Sequence, residues 1–187
     1  MGSLSRIGGR ALALACAALI GGAAVAVAEP GAAHRIIIFD GTVQAVQESS
    51  GAPFLCSVNQ VLLGRSHNGD QNGGATYYCG LVLVDGQQVT VSAPVWSTAQ
   101  QESNSSFAAP ADRVLVGQDS ANGTTRYATA TMSAWGRTVQ LASHRWSPDQ
   151  KESSSYSKGG DYEVMVGRQH SGDQHGQTRY QYAKVVG

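Results

Sequence analysis

The chain has 187 residues, with 13 basic and 13 acidic side chains and a formal charge of zero at neutral pH. That balance excludes attraction of nucleic acid or an anionic membrane by bulk charge. Beyond its N-terminal apolar run the chain is rich in Gly, Ser, Thr, Gln and Val and has no long amphipathic helical pattern, so length and composition predict one all-β domain rich in turns.

Residues 1–28 read as a secretory signal peptide. Arg6 and Arg10 precede the small-residue apolar run ALALACAALIGGAAVAVA, which closes on Ala26-Val27-Ala28, an A-x-A cleavage pattern. The run lacks a basic stop-transfer flank, and Ala13 stands where a lipoprotein signal ahead of Cys16 would have Leu. Losing this leader leaves 11 basic against 13 acidic residues, a formal charge of −2. The expected product is secreted, without a membrane span in the mature chain. Residues 29–34 read as a flexible N-terminal segment before a single β domain over 35–187.

That domain opens on the apolar strand RIIIFDGT. There follow VQESSGAPFLCSVNQVLLGR, the polar phrase GRSHNGDQNG and the alternating stretch GGATYYC. The same order recurs in AQQESNSSFAAPADRVLVGQ with NGTTRYA, and in DQKESSSYSKGGDYEVMVGR with HGQTRYQ. Glu48, Glu102 and Glu152 anchor the copies at steps of 54 and 50 residues. Trp96 and Trp146 each lie six residues before their Glu, and Thr76-x-Tyr78, Thr125-x-Tyr127 and Thr178-x-Tyr180 correspond. Three repeats are therefore expected, over about 35–88, 89–138 and 139–187.

Each repeat reads as four short strands. The runs VLLG, VLVG and VMVG are continuously apolar, as in strands buried on both faces, while the flanking stretches alternate. Copies one and two end on VTVSAPVW and VQLASHRW; the third ends at YQYAKVVG with no such strand after it. RIIIFDGT aligns with those endings, so pairing of the N- and C-terminal strands is expected to close a pseudo-symmetric body. Both a β-prism and a β-trefoil-like arrangement fit. Once Cys16 leaves with the leader, Cys56 and Cys79 remain, an even pair read as a disulfide. In the loop-entropy account it is worth on the order of 3 kcal/mol.

The repeated polar phrase carries the candidate ligand-binding residues Arg65, His67, Asp70, Asn72 and Tyr78, and Arg168, His170, Asp173, His175 and Tyr180. Guanidinium, carboxylate, amide, imidazole and phenol are the groups that hold sugar hydroxyls in shallow sites. Trp96 and Trp146 are either stacking faces or core. The competing reading is turn chemistry alone, since Gly and Asn supply positive φ and Asp bonds nearby backbone. Copy two has the shorter GQDSANGTT, with Gln118 in place of Arg and no His.

His170, Asp173 and His175 form a possible zinc set, but copy one lacks the third ligand and the calcium-loop pattern is incomplete. No cofactor or metal is expected. Neither a Gly-x-Ser-x-Gly nor a His-Glu-x-x-His spacing occurs, and the glutamates fall one per copy, which points to a structural role. No catalytic residues are expected; a secreted hydrolase or metal-binding protein is the least favoured class.

The string Gly-Arg-x-His-x-Gly-Asp-x-Asn-Gly-x-x-Thr-x-Tyr, preceded by Glu-Ser, resembles a repeat of small exported bacterial β proteins. It covers copies one and three and part of copy two. The inferred shape is similar to threefold lectin-like domains, which implies carbohydrate binding, with an extracellular glycan or a secreted or cell-surface protein as partner. Size and export signal also resemble the small subunit of a secreted actinobacterial toxin particle of the umbrella type. That likeness implies a structural or adaptor subunit whose HRIIIFDG strand docks a partner by strand addition.

Overall fold

The structure, a computed structural model, describes residues 33–69, 73–173 and 176–186. The leader, residues 29–32, and the candidate residues Asp70, Asn72 and His175 lie outside the described residues.

Three stretches of chain each lay down a set of strands. The first runs β1 (Ile36–Gln47), β2 (Phe54–Leu55), β3 (Val61–Asn68), β4 (Gly74–Val84) and β5 (Gln87–Gln88). The second runs β6 (Thr90–Val91), β7 (Val95–Trp96), β8 (Gln100–Gln101), β9 (Asn104–Ala108), β10 (Arg113–Ala121), β11 (Thr124–Ala134) and β12 (Arg137–Thr138). The third runs β13 (Leu141–Trp146), β14 (Gln150–Lys151), β15 (Tyr156–Lys158), β16 (Glu163–Ser171) and β17 (Gln177–Val185). Two 3-10 turns, Glu48–Ser50 and Glu152–Ser154, interrupt them, and no helix among the described residues is long and apolar enough to cross a membrane. The fold is all-β, as composition predicts.

The strands form curled antiparallel sheets in the orders β1-β4-β3-β15, β12-β11-β10-β2 and β13-β17-β16-β9. β6, β7 and β8 also lie along β11, and β14 lies along β17. Each sheet ends on a short strand from another stretch: β2 on β10, β9 on β16, and β15 on β3.

This exchange replaces the expected pairing of the chain ends. β1 pairs with β4, beginning at Ile36↔Val84, and β17 pairs with β13, beginning at Leu141↔Val185. Among the described residues the two terminal strands do not pair with each other. The physical reason is the frame of the repeat. RIIIFDGT and its counterparts open their own sheets, so β13 already supplies the outer strand that the third stretch was expected to lack.

The apolar runs explain where the core sits. Val61 and Leu63, Val114 and Val116, and Val164 and Val166 point into one buried cluster, with Val82, Met132 and Val185. The residues between them, Leu62, Leu115 and Met165, point the other way into a second cluster with Phe54, Tyr77, Tyr127, Tyr180 and Tyr182. Successive side chains of a strand face opposite sides, so an uninterrupted apolar run belongs to a strand covered on both faces. The glycine ending each run sits at a register shift under the borrowed strand. A Cβ at Gly64, Gly117 or Gly167 would collide with the carbonyl oxygen of Ser157, Phe54 or Phe107 respectively. Close backbone approach thus requires glycine there.

Cys56 and Cys79 are bonded, with Cα atoms 5.8 Å apart. The bridge ties β4 to the segment that leaves β2, and so reinforces the junction between the first and second sheets.

Candidate functional site

The repeated phrase is largely strand. β3 continues through Asn68 and β16 through Ser171, so Arg65, His67, Arg168 and His170 belong to strands and only the tips turn. Period-two alternation sends these four side chains inward, and each is at most 4% exposed. The expectation of exposed Arg side chains gripping sugar hydroxyls is therefore corrected: both guanidiniums are fully buried.

Their partners are the three repeated glutamates. Glu48 and Glu152 are delivered by the 3-10 turns, and Glu102 by the turn after β8. The backbone N–H groups of Glu48, Glu102 and Glu152 donate to the carbonyls of Gly73, Gly123 and Gly176, at the hairpin tips. Arg65 Nη2 donates to Glu48 Oε1 at 2.5 Å and Nη1 to Glu152 Oε1 at 2.8 Å. Its Nη1 also lies 3.1 Å from the Tyr180 hydroxyl. Arg168 Nη2 lies 2.9 Å from Glu152 Oε1, and Nη1 lies 4.0 Å from Glu102 Oε1. His67 Nδ1 is 3.1 Å from the Glu152 carbonyl and Nε2 is 3.3 Å from Glu48 Oε2. His170 Nδ1 is 3.6 Å from Glu152 Oε2.

Burial and charge pull these groups apart. Burial raises the Glu48 carboxyl, but the Arg65 guanidinium outweighs it and holds the pKa at about 2. Burial acts likewise on Glu152, and Arg168 and Arg65 together drive it well below the usual carboxylate range. At Glu102 burial wins over the more distant Arg168, and its pKa is raised. Burial, with Arg168 behind it, lowers the pKa of His170. Glu48 and Glu152 are thus fixed carboxylates, His170 a neutral imidazole at neutral pH, and Glu102 the acid that ionises least readily.

A cavity of about 270 Å³ opens over this cluster. Its wall is formed by Glu48, Glu102 and Glu152, His67 and His170, Gln101 and Ser103, with Gly123, Gly172 and Asp173 at the hairpin tips. Among the described residues no group of three His, Cys, Asp or Glu side chains has metal-holding geometry.

Of the sequence-read candidates, the structure brings together Arg65, His67, Arg168, His170 and Tyr180, with Asp173 on the cavity wall. Tyr78 is not among them. The tyrosine opposite Arg65 is Tyr77, as Tyr127 is opposite Gln118 and Tyr180 opposite Arg168. Aligning Thr76 with Thr125 and Thr178 slips the first copy by one residue, and one residue turns a side chain to the other face. Tyr78 instead meets Ser66 and packs edge-on against Tyr156. Trp96 and Trp146 are half-buried, with the guanidiniums of Arg126 and Arg179 lying 4.9 and 5.0 Å over their rings. The glutamates, expected from sequence to be structural, pair with the buried guanidiniums, and their recurrence in every copy is the signal that they meet.

No protein family matches the chain, and no curated protein or solved structure matches it either.

Proposed function

We propose that the protein is an exported, non-enzymatic binding module, a three-sheet prism about a pseudo-threefold axis, whose ligand is a glycan held in the cavity over Glu48, Glu102 and Glu152. The observation that carries this reading is the lining. Carboxylates, imidazoles, an amide, a hydroxyl and glycine backbone offer acceptors and donors to sugar hydroxyls, set in a wall with apolar surface for the ring. The two candidate stacking faces are covered by arginines, so affinity rests on hydrogen bonds and is weak per site. Export is supported by the residue 1–28 pattern and by the disulfide, which persists in oxidising compartments. Buried guanidiniums engage Glu48 and Glu152, which gives these two carboxylates a structural role.

A glycan array with the mature chain at high concentration tests the reading. The expected result is weak, selective signal that disappears in a folded His67→Ala/His170→Ala variant. Silence across the array, signal indifferent to the two histidines, or cleavage of the printed glycans would refute it.

One observation favours an adaptor role beside it. β1 is a 12-residue strand at a sheet edge, with a register shift between Asp40 and Val43 and with Phe39 and Val43 at least half exposed. The corresponding edges are broken around Pro94 and Pro148. An open apolar edge is the template for strand addition by a partner. Isolation from native culture medium decides it: an assembly supports the adaptor, and a lone monomer on a sizing column rejects it.

A further inference from the structure

The buried guanidiniums obey one rule. Arg65 lies between Glu48 and Glu152, and Arg168 between Glu152 and Glu102. The third interval, from Glu102 to Glu48, would take a guanidinium from β10. The residue at that register position, opposite Tyr127, is Gln118. Its amide is neutral and turns to its own hairpin, donating to Ser120 at 3.0 Å and to Thr125 at 3.4 Å. Ser120 in turn stands where His67 and His170 stand in β3 and β16. Among the described residues Glu48, Glu102 and Glu152 therefore share two guanidiniums, and all three border the cavity, with Asp173 also on its wall.

A second observation points into the same space. Glu152 Oε2 and His170 Nδ1, 3.6 Å apart, are buried without a hydrogen-bond partner, in residues only 6% and 4% exposed. Buried polar atoms in a folded protein are normally satisfied, so atoms of this kind on a cavity wall mark a ligand's position.

We propose that the cavity takes one organic cation, the protonated amine of an amino sugar, which supplies between Glu102 and Glu48 the positive charge that Gln118 does not. The inference rests on the glycan reading of this cavity and narrows it: charge selects the sugar and hydroxyl contacts orient it. An ammonium brings three donors, enough for two carboxylates and one imidazole or carbonyl. Because the attraction is charge-assisted, affinity falls as salt rises.

The test is titration of the mature protein at pH 6.5 with glucosamine, N-acetylglucosamine and glucose, following the His67 and His170 ring resonances by NMR. Saturable shifts are expected with glucosamine, and at least tenfold weaker binding with the two neutral sugars. Equal binding of N-acetylglucosamine would overturn the charge inference and leave the glycan reading standing. No saturable binding of any of the three would overturn both. Gln118→Arg, which completes the ring, should weaken glucosamine at least tenfold while the unfolding midpoint holds or rises. Glu102→Gln, which keeps the shape of the site, should weaken it to a similar degree and serves if the arginine variant does not fold. Unchanged glucosamine affinity in a folded form of either variant sinks the proposal.

Discussion

Replacing Glu48 by Gln removes one charge from the buried cluster at nearly constant volume. In the folded protein the Glu48 pKa lies at about 2, against an ordinary value of 4.5. At about 1.4 kcal/mol per pKa unit, that difference amounts to about 3 kcal/mol of stability at neutral pH. It agrees with the roughly 3–5 kcal/mol lost when one partner of a buried ion pair is removed. The sign follows from the lowered pKa: the contribution is complete above pH 4.5 and is lost as pH falls toward 2. Glu152 responds in the same sense, so the difference between wild type and variant isolates Glu48. Urea unfolding at pH 7 and at pH 3 measures it. The variant should be about 3 kcal/mol less stable at pH 7, and the gap should narrow at pH 3. A gap below about 0.5 kcal/mol, or one of the same size at both pH values, would refute the assignment of Glu48 to the Arg65 pair.

Three further outcomes are expected. Glu102→Gln has the opposite sign. The raised carboxyl stabilises below its unfolded pKa and loses that contribution as pH rises, so the variant should melt higher than wild type at pH 7; a lower melting temperature contradicts this. Gly117→Ala drives a methyl into the Phe54 carbonyl and should cost about 1–3 kcal/mol, read by chemical denaturation, whereas Gly86→Ala meets nothing within 4 Å and strains only its positive φ. Reducing Cys56–Cys79 should lower stability by about 3 kcal/mol while the far-ultraviolet β signal of the residual folded protein is kept. An unchanged denaturation midpoint in reductant would argue against the bridge.

Much of the fold was legible locally. Val61-Leu62-Leu63 and its two counterparts announced doubly covered strands, because burial on both faces removes the alternation that a half-exposed strand shows. Cys56 and Cys79 were readable as an even pair. The chain-end pairing was not, because RIIIFDGT matches the outer strands equally well whether a unit begins or ends with one. Only the register Ile36↔Val84 decides the frame. Tyr78 was misplaced for a related reason: identity of Thr-x-Tyr outweighed register, and one residue of slip exchanged a buried tyrosine for one on the opposite face.

Sequence by itself determined the class of the protein: an all-β chain with recurring glutamates, buried apolar runs and a disulfide, each set by residue type and spacing along one strand or loop. Tertiary structure alone decided that Glu48, Glu102 and Glu152 meet, that Arg65 and Arg168 are buried between them, and that Gln118 occupies the interval without a guanidinium. The reason is physical. Spacing governs which face of its own strand a side chain takes, whereas the partners of a buried charge come from other segments, Glu152 lying 87 residues from Arg65, and meet only once the sheets have packed.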